Sequence, residues 1–242
     1  MSNSRRILRL LALLITMCVV GCVLMLAARV HLKRTAQSLL TDMRSLRVES
    51  STASDVQTIV RRYDGLADDS AAANCQSGDA GYSIRIANET INRVGRLFGF
   101  ARRLGFQPSG VVATFALSKD RLCYAAYSVQ SMLQGQQQEL LVGVELVANK
   151  KNPSPQGGFY ELNYWRSKLQ YQHFVAQLSD NATPKQREHA FDIQLSCLER
   201  PTGCRTPSEV MPSAWQDYET KARAEGDALP PAETTEAHCK KF

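Results

Sequence analysis

The sequence predicts an α+β protein in which a single N-terminal transmembrane helix precedes one domain with an antiparallel sheet and flanking helices. The first observation is an apolar stretch, residues 10–28, which contains no charge and no proline. A helix of this length reaches ~28 Å, close to the ~30 Å hydrocarbon core of a bilayer. The second is a series of alternating apolar runs between residues 82 and 178, typical of strands. The third is a helix-start signal at Thr183 to Gln186, where a threonine cap precedes proline and is closed by glutamine.

These observations divide the chain into five segments. They are an N-terminal tail at 1–9, the transmembrane helix at 10–28, a juxtamembrane helix at 29–47, the α+β globular domain at 48–212 and a C-terminal tail at 213–242. The C-terminal tail is expected to be partly helical and then disordered. From about Thr220 it has too few large apolar residues to offset the entropy of ordering it, so we expect that part to be dispensable for folding.

The net charge of +6 belongs to the flanks of the apolar stretch. Residues 1–34 hold six arginines and lysines and no acidic residue, which leaves 29 − 6 = 23 basic against 23 acidic residues in the remainder. Cations at the ends of a membrane span meet lipid headgroups. A globally basic nucleic-acid-binding domain is therefore disfavoured, and we expect the membrane as a partner and no nucleic acid.

Three interpretations of the apolar stretch remain open at this point. An uncleaved membrane anchor fits its length, and a cleaved signal peptide fits the basic residues before it. A lipoprotein signal fits Val19 to Cys22, which resembles a lipobox. The anchor is favoured, because the run is longer than a usual signal-peptide core and the chain stays apolar after Cys22.

Two indications of membrane orientation disagree. More lysines and arginines follow the apolar stretch than precede it, which by the positive-inside rule places the domain in the cytoplasm. Long domains, however, translocate with little regard to charge. The cysteines form no metal or redox motif and favour an oxidising compartment, so we expect an extracytoplasmic domain.

The juxtamembrane helix carries an apolar stripe. Leu32, Ala36, Leu39, Met43 and Leu46 recur at spacings of 4, 3, 4 and 3 residues, a pattern of about two heptads. One interpretation is that the stripe docks on the chain's own domain. The other is that Leu32, Leu39, Met43 and Leu46 form the seam of a homodimer or of a complex with a protein partner.

Within the domain, a short helix is expected to begin at Ser54, with Gln57 closing a capping box. A longer helix is expected from Pro184 to about Leu198, where Pro201 and Gly203 stop it. The predicted strands are 82–87, 111–117, 122–130, 138–148, 159–165 and 169–178, and those between 111 and 148 form an antiparallel meander.

The cysteines predict one disulfide bond. Five of the seven cysteines lie outside the apolar stretch, so at least one cannot pair within the chain. Cys197 and Cys204 flank the turn expected at Pro201 and Gly203, which folds the chain back and brings their Cα atoms within the ~4.4–6.8 Å of a disulfide. Such a bond persists only in an oxidising compartment. The alternative is that both are small apolar residues at a helix end.

Two groups of residues form a possible binding patch. The only concentration of like charge in the domain lies at Arg93, Arg96, Arg102 and Arg103. It is either a solvated helix face or a contact with anionic lipid or another polyanion. The second group lies in the aromatic segment 159–174, where most side chains are expected in the core and Tyr164 and Trp165 are candidates for contact with a partner.

The chain contains no motif that carries a reaction, such as GxSxG, HExxH or a phosphate-binding GK[ST] loop. We therefore predict no catalytic, cofactor-binding or metal-binding residues. His189 and Asp192 are interpreted as a surface pair on one helix face. The expected function is a non-enzymatic interaction or envelope-structural module. The alternative is a membrane-anchored hydrolase or redox enzyme with a Cys/His site that joins Cys123 to His173 or His189.

Three stretches, LRVESSTASDVQTIVRRYDG, YSIRIAN and TPKQREHAFDIQLSCLERPTGC, resemble a group of uncharacterised single-pass bacterial membrane proteins. The resemblance covers about half of the chain and implies the architecture only. The L-x-V-x-x-S-T-x-x-D-V start is also remotely similar to small outer-membrane-assembly lipoproteins of the SmpA/OmlA type. Their usual glycine turn is absent, because Glu49 to Ser51 stand in its place.

Overall fold

The computed structural model describes residues 2–75, 78–87, 109–132, 139–148, 160–166, 172–200 and 203–225. Its helices are α1 (Ser2–Ser45), α2 (Ala53–Arg62), α3 (Asp69–Ala72), α4 (Pro184–Ala190), α5 (Pro207–Val210) and α6 (Pro212–Glu225), with a 3-10 turn at Ser196–Glu199. Its strands are β1 (Leu66–Ala67), β2 (Ala80–Ala87), β3 (Ser109–Ser118), β4 (Arg121–Met132), β5 (Glu139–Val147), β6 (Tyr160–Arg166) and β7 (Gln172–Leu178). The predicted α+β class is confirmed: the described part of the chain is a seven-stranded sheet with helices around it.

Helix α1 runs without a break from the apolar stretch into the domain. Its first half is long and apolar enough to cross a membrane, with a mean hydropathy of 2.8 in the most apolar window. Side chains there, such as Leu24 and Leu26, are exposed to the surroundings of the protein. An exposed apolar surface of this length is unfavourable in water and favourable in lipid.

The second half of α1 is part of the hydrophobic core. Leu32, Leu39, Met43 and Leu46 are each at most 4% exposed. The Tyr127 hydroxyl of β4 donates a hydrogen bond to the Ala36 carbonyl oxygen of α1, at 3.0 Å, inside this core. Of the two interpretations of the stripe, the structure shows docking on the chain's own domain. These four side chains are therefore not available as a dimer seam.

The sheet has the strand order β1-β2-β3-β4-β5-β7-β6. Strands β2 to β5 form the predicted antiparallel meander. The turn between β3 and β4 contains two residues with positive φ, Lys119 at 51° and Asp120 at 59°. Two positive φ angles give the twist that a two-residue hairpin connection needs.

The expectation of a wholly antiparallel sheet is wrong at one pair, because β7 runs parallel to β5. Strand β6 pairs with β7 in antiparallel fashion and lies at the end of the strand order. The centre of β7 contains Phe174, Val175 and Ala176, which are all buried. A strand buried on both faces belongs inside a sheet, whereas β6, with Glu161 exposed, suits the outer position.

The N-cap residue of helix α2 lies two residues earlier in the chain than predicted. Thr52, not Ser54, is the N-cap: its side chain accepts a hydrogen bond from the Asp55 backbone N–H, and the Asp55 carboxylate accepts one from the Thr52 N–H. Both caps are chemically competent, and Thr52 is selected because its backbone also bridges to Arg121 of β4.

Helix α4 begins at the predicted capping box of Thr183 but ends at Ala190, well before Leu198. The next residues, Phe191, Ile193 and Leu195, are buried at alternate positions, a period of two that an extended chain satisfies and a helix does not. Cys197 therefore lies in the 3-10 turn and not in the last turn of α4.

Helix α6 packs against the β6 and β7 side of the sheet. The ring of Trp215 lies 5.4 Å from that of Tyr164 and 5.2 Å from that of Phe174, measured between centroids. Ala222 is buried, so ordered and packed structure continues beyond Thr220, where the disordered part of the tail was expected to begin.

Candidate functional site

An open cleft of about 1110 Å³ lies where the C-terminal end of α1 meets α4 and α6, and we call it the α1–α4 cleft. Its charged and titratable lining residues are Arg44, Arg47, Lys185, Arg187 and His189, with Asp180, Glu188 and Asp192 as the acids. Arg44 lies sixteen residues beyond the predicted end of the membrane span at Ala28. At ~1.5 Å per residue, the cleft is ~24 Å along the helix axis from the end of the predicted span.

Two arginines join α1 and α4 at the base of the cleft. Arg187 donates from Nη2 to the carbonyl oxygens of Arg44, at 3.0 Å, and Leu46, at 2.6 Å. In the opposite direction, Arg44 donates from Nη2 to the Phe191 carbonyl oxygen, just after α4. The last carbonyls of a helix have no partner within the helix and carry partial negative charge. The two guanidinium groups therefore stabilise the C-terminal ends of α1 and α4.

The cleft is locally short of negative charge. Burial, together with the nearby charge of Arg47, lowers the pKa of Arg187 to about 10. The opposing carboxylate is that of Asp180, which accepts a hydrogen bond from the Val48 N–H at 2.9 Å. Partial burial raises the pKa of Asp180. Nη1 of Arg187 is enclosed and has no hydrogen-bond partner among the described residues.

A second polar group ties α4 to α6 beside the cleft. The Asp217 carboxylate accepts hydrogen bonds at Oδ2 from the Tyr160 hydroxyl, at 3.1 Å, and faces Nδ1 of His189 at 2.7 Å. The predicted pair of His189 with Asp192 is not formed. Asp192 instead accepts a hydrogen bond from the Ser213 hydroxyl at 2.6 Å. His189 and Asp192, two of the titratable groups that line the cleft, are thus engaged in bonds that hold α4 and the residues after it to α6.

Two disulfide bonds lie within the described part of the chain. Cys197 and Cys204, paired in the sequence prediction, are at bonding distance, with Cα atoms 4.8 Å apart. Gly203 next to them has φ of 64°, a left-handed conformation that favours glycine and turns the chain back. Cys75 and Cys123 form the other bond, with Cα atoms 6.1 Å apart.

Sequence reasoning missed the bond of Cys75 to Cys123. The two are 48 residues apart, and the connectivity of distant cysteines cannot be deduced from spacing. A disulfide sulfur carries no thiolate, so Cys123 cannot be the nucleophile of the predicted alternative enzyme while the bond is intact.

The residues of the predicted binding patch do not form one surface. Arg93, Arg96, Arg102 and Arg103 lie outside the described residues. Tyr164 is half-buried and packs on Trp215, so it contributes to the core. Trp165 follows it on β6 and therefore points to the opposite face of the sheet.

Trp165 covers a histidine on that opposite face. Its side chain is 46% exposed, and its ring centroid lies 3.7 Å from that of His173 on β7. Burial lowers the pKa of His173 to about 4, so this imidazole is neutral near pH 7. This pair is the most exposed aromatic group on the described strands, and it consists of two side chains only.

Metal-ligating residues do not cluster in the part of the chain that the structure describes. The α1–α4 cleft is instead suited to an anionic group, because guanidinium forks bind carboxylate and phosphate oxygens with two parallel hydrogen bonds. No signal in the sequence marks this cleft, since its arginines are separated by 140 residues and each looks like an ordinary surface charge.

Comparison with known proteins gives no relative to set beside this geometry: no protein-family model, no curated protein and no solved structure matches the chain.

Proposed function

We propose that the protein is a single-pass membrane protein whose extracytoplasmic domain is a non-enzymatic interaction module, with the α1–α4 cleft as its ligand-binding site. The observation that carries the proposal is that α1 is both the apolar span and a part of the domain. One continuous helix supplies the apolar span, the centre of the domain core and, at its far end, Arg44 of the cleft, and Arg47 follows just after the helix ends. Anchor and binding site are thereby held in a fixed relation, about 24 Å apart along the helix.

The proposed orientation sets aside the positive-inside rule, because the cations after the span have roles in the folded domain. The positive-inside rule counts arginines and lysines after the span as signals for the cytoplasm. Here Lys33 pairs with Glu199 at 2.8 Å, and Arg44 binds the Phe191 carbonyl oxygen. Arg29 is 8% exposed. Residues with such roles in the folded domain are retained for packing and are a poor guide to topology. The two disulfides support an oxidising compartment.

The ligand of the cleft carries a carboxylate or phosphate group. Arg44 of α1, Arg47 just after α1 and Arg187 of α4 converge here. The Asp180 carboxylate already accepts a hydrogen bond from the backbone. An arriving anion would relieve the repulsion between Arg47 and Arg187 and would find unused donors on exposed Arg47 and Lys185. Lipid headgroups of the same membrane are too far away, so the anion belongs to a soluble ligand or a partner protein.

The experiment uses the full-length protein in phosphatidylcholine nanodiscs and inorganic phosphate as the probe, with chloride at equal ionic strength as the reference. Phosphate at about ten times its Kd stabilises the folded state by ~1.4 kcal/mol, which raises the thermal midpoint by roughly 3–6 °C for a domain of this size. Arg47→Gln is expected to remove the rise. Arg61→Gln, on the exposed surface of α2, is the matched control and should retain it.

An unchanged midpoint in phosphate, or an equal rise in the Arg47→Gln protein, would contradict the binding site. The orientation is tested separately, by alkylating thiols in intact cells without reductant and mapping the peptides. Linked peptides for both cysteine pairs support an extracytoplasmic domain, whereas alkylated thiols at Cys197 and Cys204 of the folded protein would place it in a reducing compartment.

A further inference from the structure

We infer that the base of the domain rests on the membrane and binds acidic lipid headgroups, through Arg34 of α1 and through Arg205, which follows the disulfide-bonded Cys204. This inference rests on the proposed membrane anchoring and concerns the end of the domain opposite to the α1–α4 cleft.

No linker separates the predicted span from the domain, because α1 is continuous through both. Arg29, directly after the predicted span, is 8% exposed, and its Nη1 donates to the Glu199 carbonyl oxygen at 3.4 Å. One turn further, Nζ of Lys33 lies 2.8 Å from the Glu199 carboxylate. Lys33 is five residues beyond Ala28, which is ~7.5 Å along the helix. The 3-10 turn that carries Glu199 therefore lies at the depth of the lipid headgroups.

A disulfide bond fixes Arg205 beside the 3-10 turn. Cys204 is bonded to Cys197 in that turn, with Cα atoms 4.8 Å apart, and both cysteines and Leu198 are buried. Because α1 is a continuous helix and the turn is packed against it, the domain has no hinge at this point with which to tilt its base away from the bilayer.

The base of the domain carries positive charge that no nearby acidic residue neutralises. Both acidic residues near it are already paired: Glu199 with Lys33, and Glu209 with Arg200 at 3.1 Å. Arg34 and Arg205 are exposed, and their side chains have no partner among the described residues. Two uncompensated guanidinium groups beside a membrane are complementary to acidic phospholipids, and phosphate oxygens fit the guanidinium fork.

The test places the full-length protein in nanodiscs of phosphatidylcholine alone or of phosphatidylcholine and phosphatidylglycerol in equal amounts. A fluorescent amino acid without a thiol replaces Ser196, which is exposed in the 3-10 turn, or Arg61 on α2 as the distal control. Quenching by lipids with a spin-labelled headgroup reports contact with the membrane surface. We expect several-fold stronger quenching at position 196 than at 61, and a further increase at 196 when phosphatidylglycerol is present.

The charge claim is tested with the double variant Arg34→Gln/Arg205→Gln, which should lose the increase caused by phosphatidylglycerol. Arg61→Gln/Arg85→Gln removes two other exposed arginines and should keep it. Equal quenching at both label positions would overturn the inference, as would quenching at 196 that neither the acidic lipid nor the double variant changes. A protein that does not enter the discs at all would refute the anchoring itself, whereas phosphate binding at the cleft is independent of either result.

Discussion

Replacing Leu39 by alanine tests whether α1 is a core element of the domain. Leu39 is fully buried within the main core. The change removes three carbon atoms, a loss of ~2.4 kcal/mol at ~0.8 kcal/mol for each buried carbon. The space that remains adds a cavity term, because the surroundings relax only in part. We expect the free energy of unfolding to fall by about 3–4 kcal/mol, within the range of ~2.7–5.0 kcal/mol measured for such substitutions.

The assay is guanidinium unfolding of the full-length protein in nanodiscs, followed by tryptophan fluorescence. Both tryptophans of the chain, Trp165 and Trp215, lie in the domain, so the signal reports on the domain alone. In a thermal scan the same loss corresponds to a lower midpoint by about 10 °C. The matched control is Leu26→Ala, the same substitution on the same helix at a position that is 59% exposed in the span.

The two variants together decide between docking and a dimer seam. Leu26→Ala should leave the unfolding of the domain unchanged, since its side chain is exposed and lies outside the core of the domain. A loss below about 1 kcal/mol for Leu39→Ala would show that the stripe is not packed in the core, because buried leucines cost at least twice as much. If cross-linked dimers disappeared at the same time, the seam interpretation would replace the one given by the structure.

Three further predictions concern the rest of the domain. Loop-closure entropy predicts that the free energy of unfolding falls by about 4 kcal/mol for Cys123→Ser and by about 2.5 kcal/mol for Cys204→Ser, because the first bond closes the longer loop. Equal losses in guanidinium unfolding would contradict this. Trp215→Ala should lower the free energy of unfolding by about 3 kcal/mol, because the Trp215 ring packs against three aromatic rings. The fluorescence of the remaining tryptophan follows the unfolding, and a loss under about 1 kcal/mol would mean that α6 is not part of the core. His173 should titrate at about 4 by NMR, below its ordinary 6.5, so that protonation favours the unfolded state and stability declines as the pH falls from 6.5 towards 4. Trp165→Ala should raise this pKa by hydrating the imidazole, and a value near 6.5 in the unmodified protein would refute the effect of burial.

The features that the sequence determined by itself are those encoded in neighbouring residues. The apolar stretch at 10–28 and the capping box at Thr183 each depend on consecutive side chains. The pairing of Cys197 with Cys204 belongs to the same class, because only one short turn separates them. In each case the local chemistry leaves one favourable backbone conformation, so the pattern is sufficient.

The extent of α4 shows where local signals mislead. Its start is unambiguous, and nothing in the next residues forbids a helix. The alternation of Phe191, Ile193 and Leu195 is also present in the sequence, but it becomes decisive only because the core lies on one side of an extended segment. Burial of three apolar side chains outweighs the helix propensity of a short stretch, which is a few tenths of a kcal/mol per residue.

Only the tertiary structure decided the remaining features, because they depend on residues that are far apart in the chain. The parallel pairing of β5 with β7, the bond of Cys75 to Cys123 and the convergence of Arg44 with Arg187 follow from how the sheet and helices pack. The same holds for the apolar stripe of α1, whose spacing fits a partner helix and its own domain equally well. The periodicity of apolar residues indicates which side chains are buried, and only the tertiary structure shows which residues bury them.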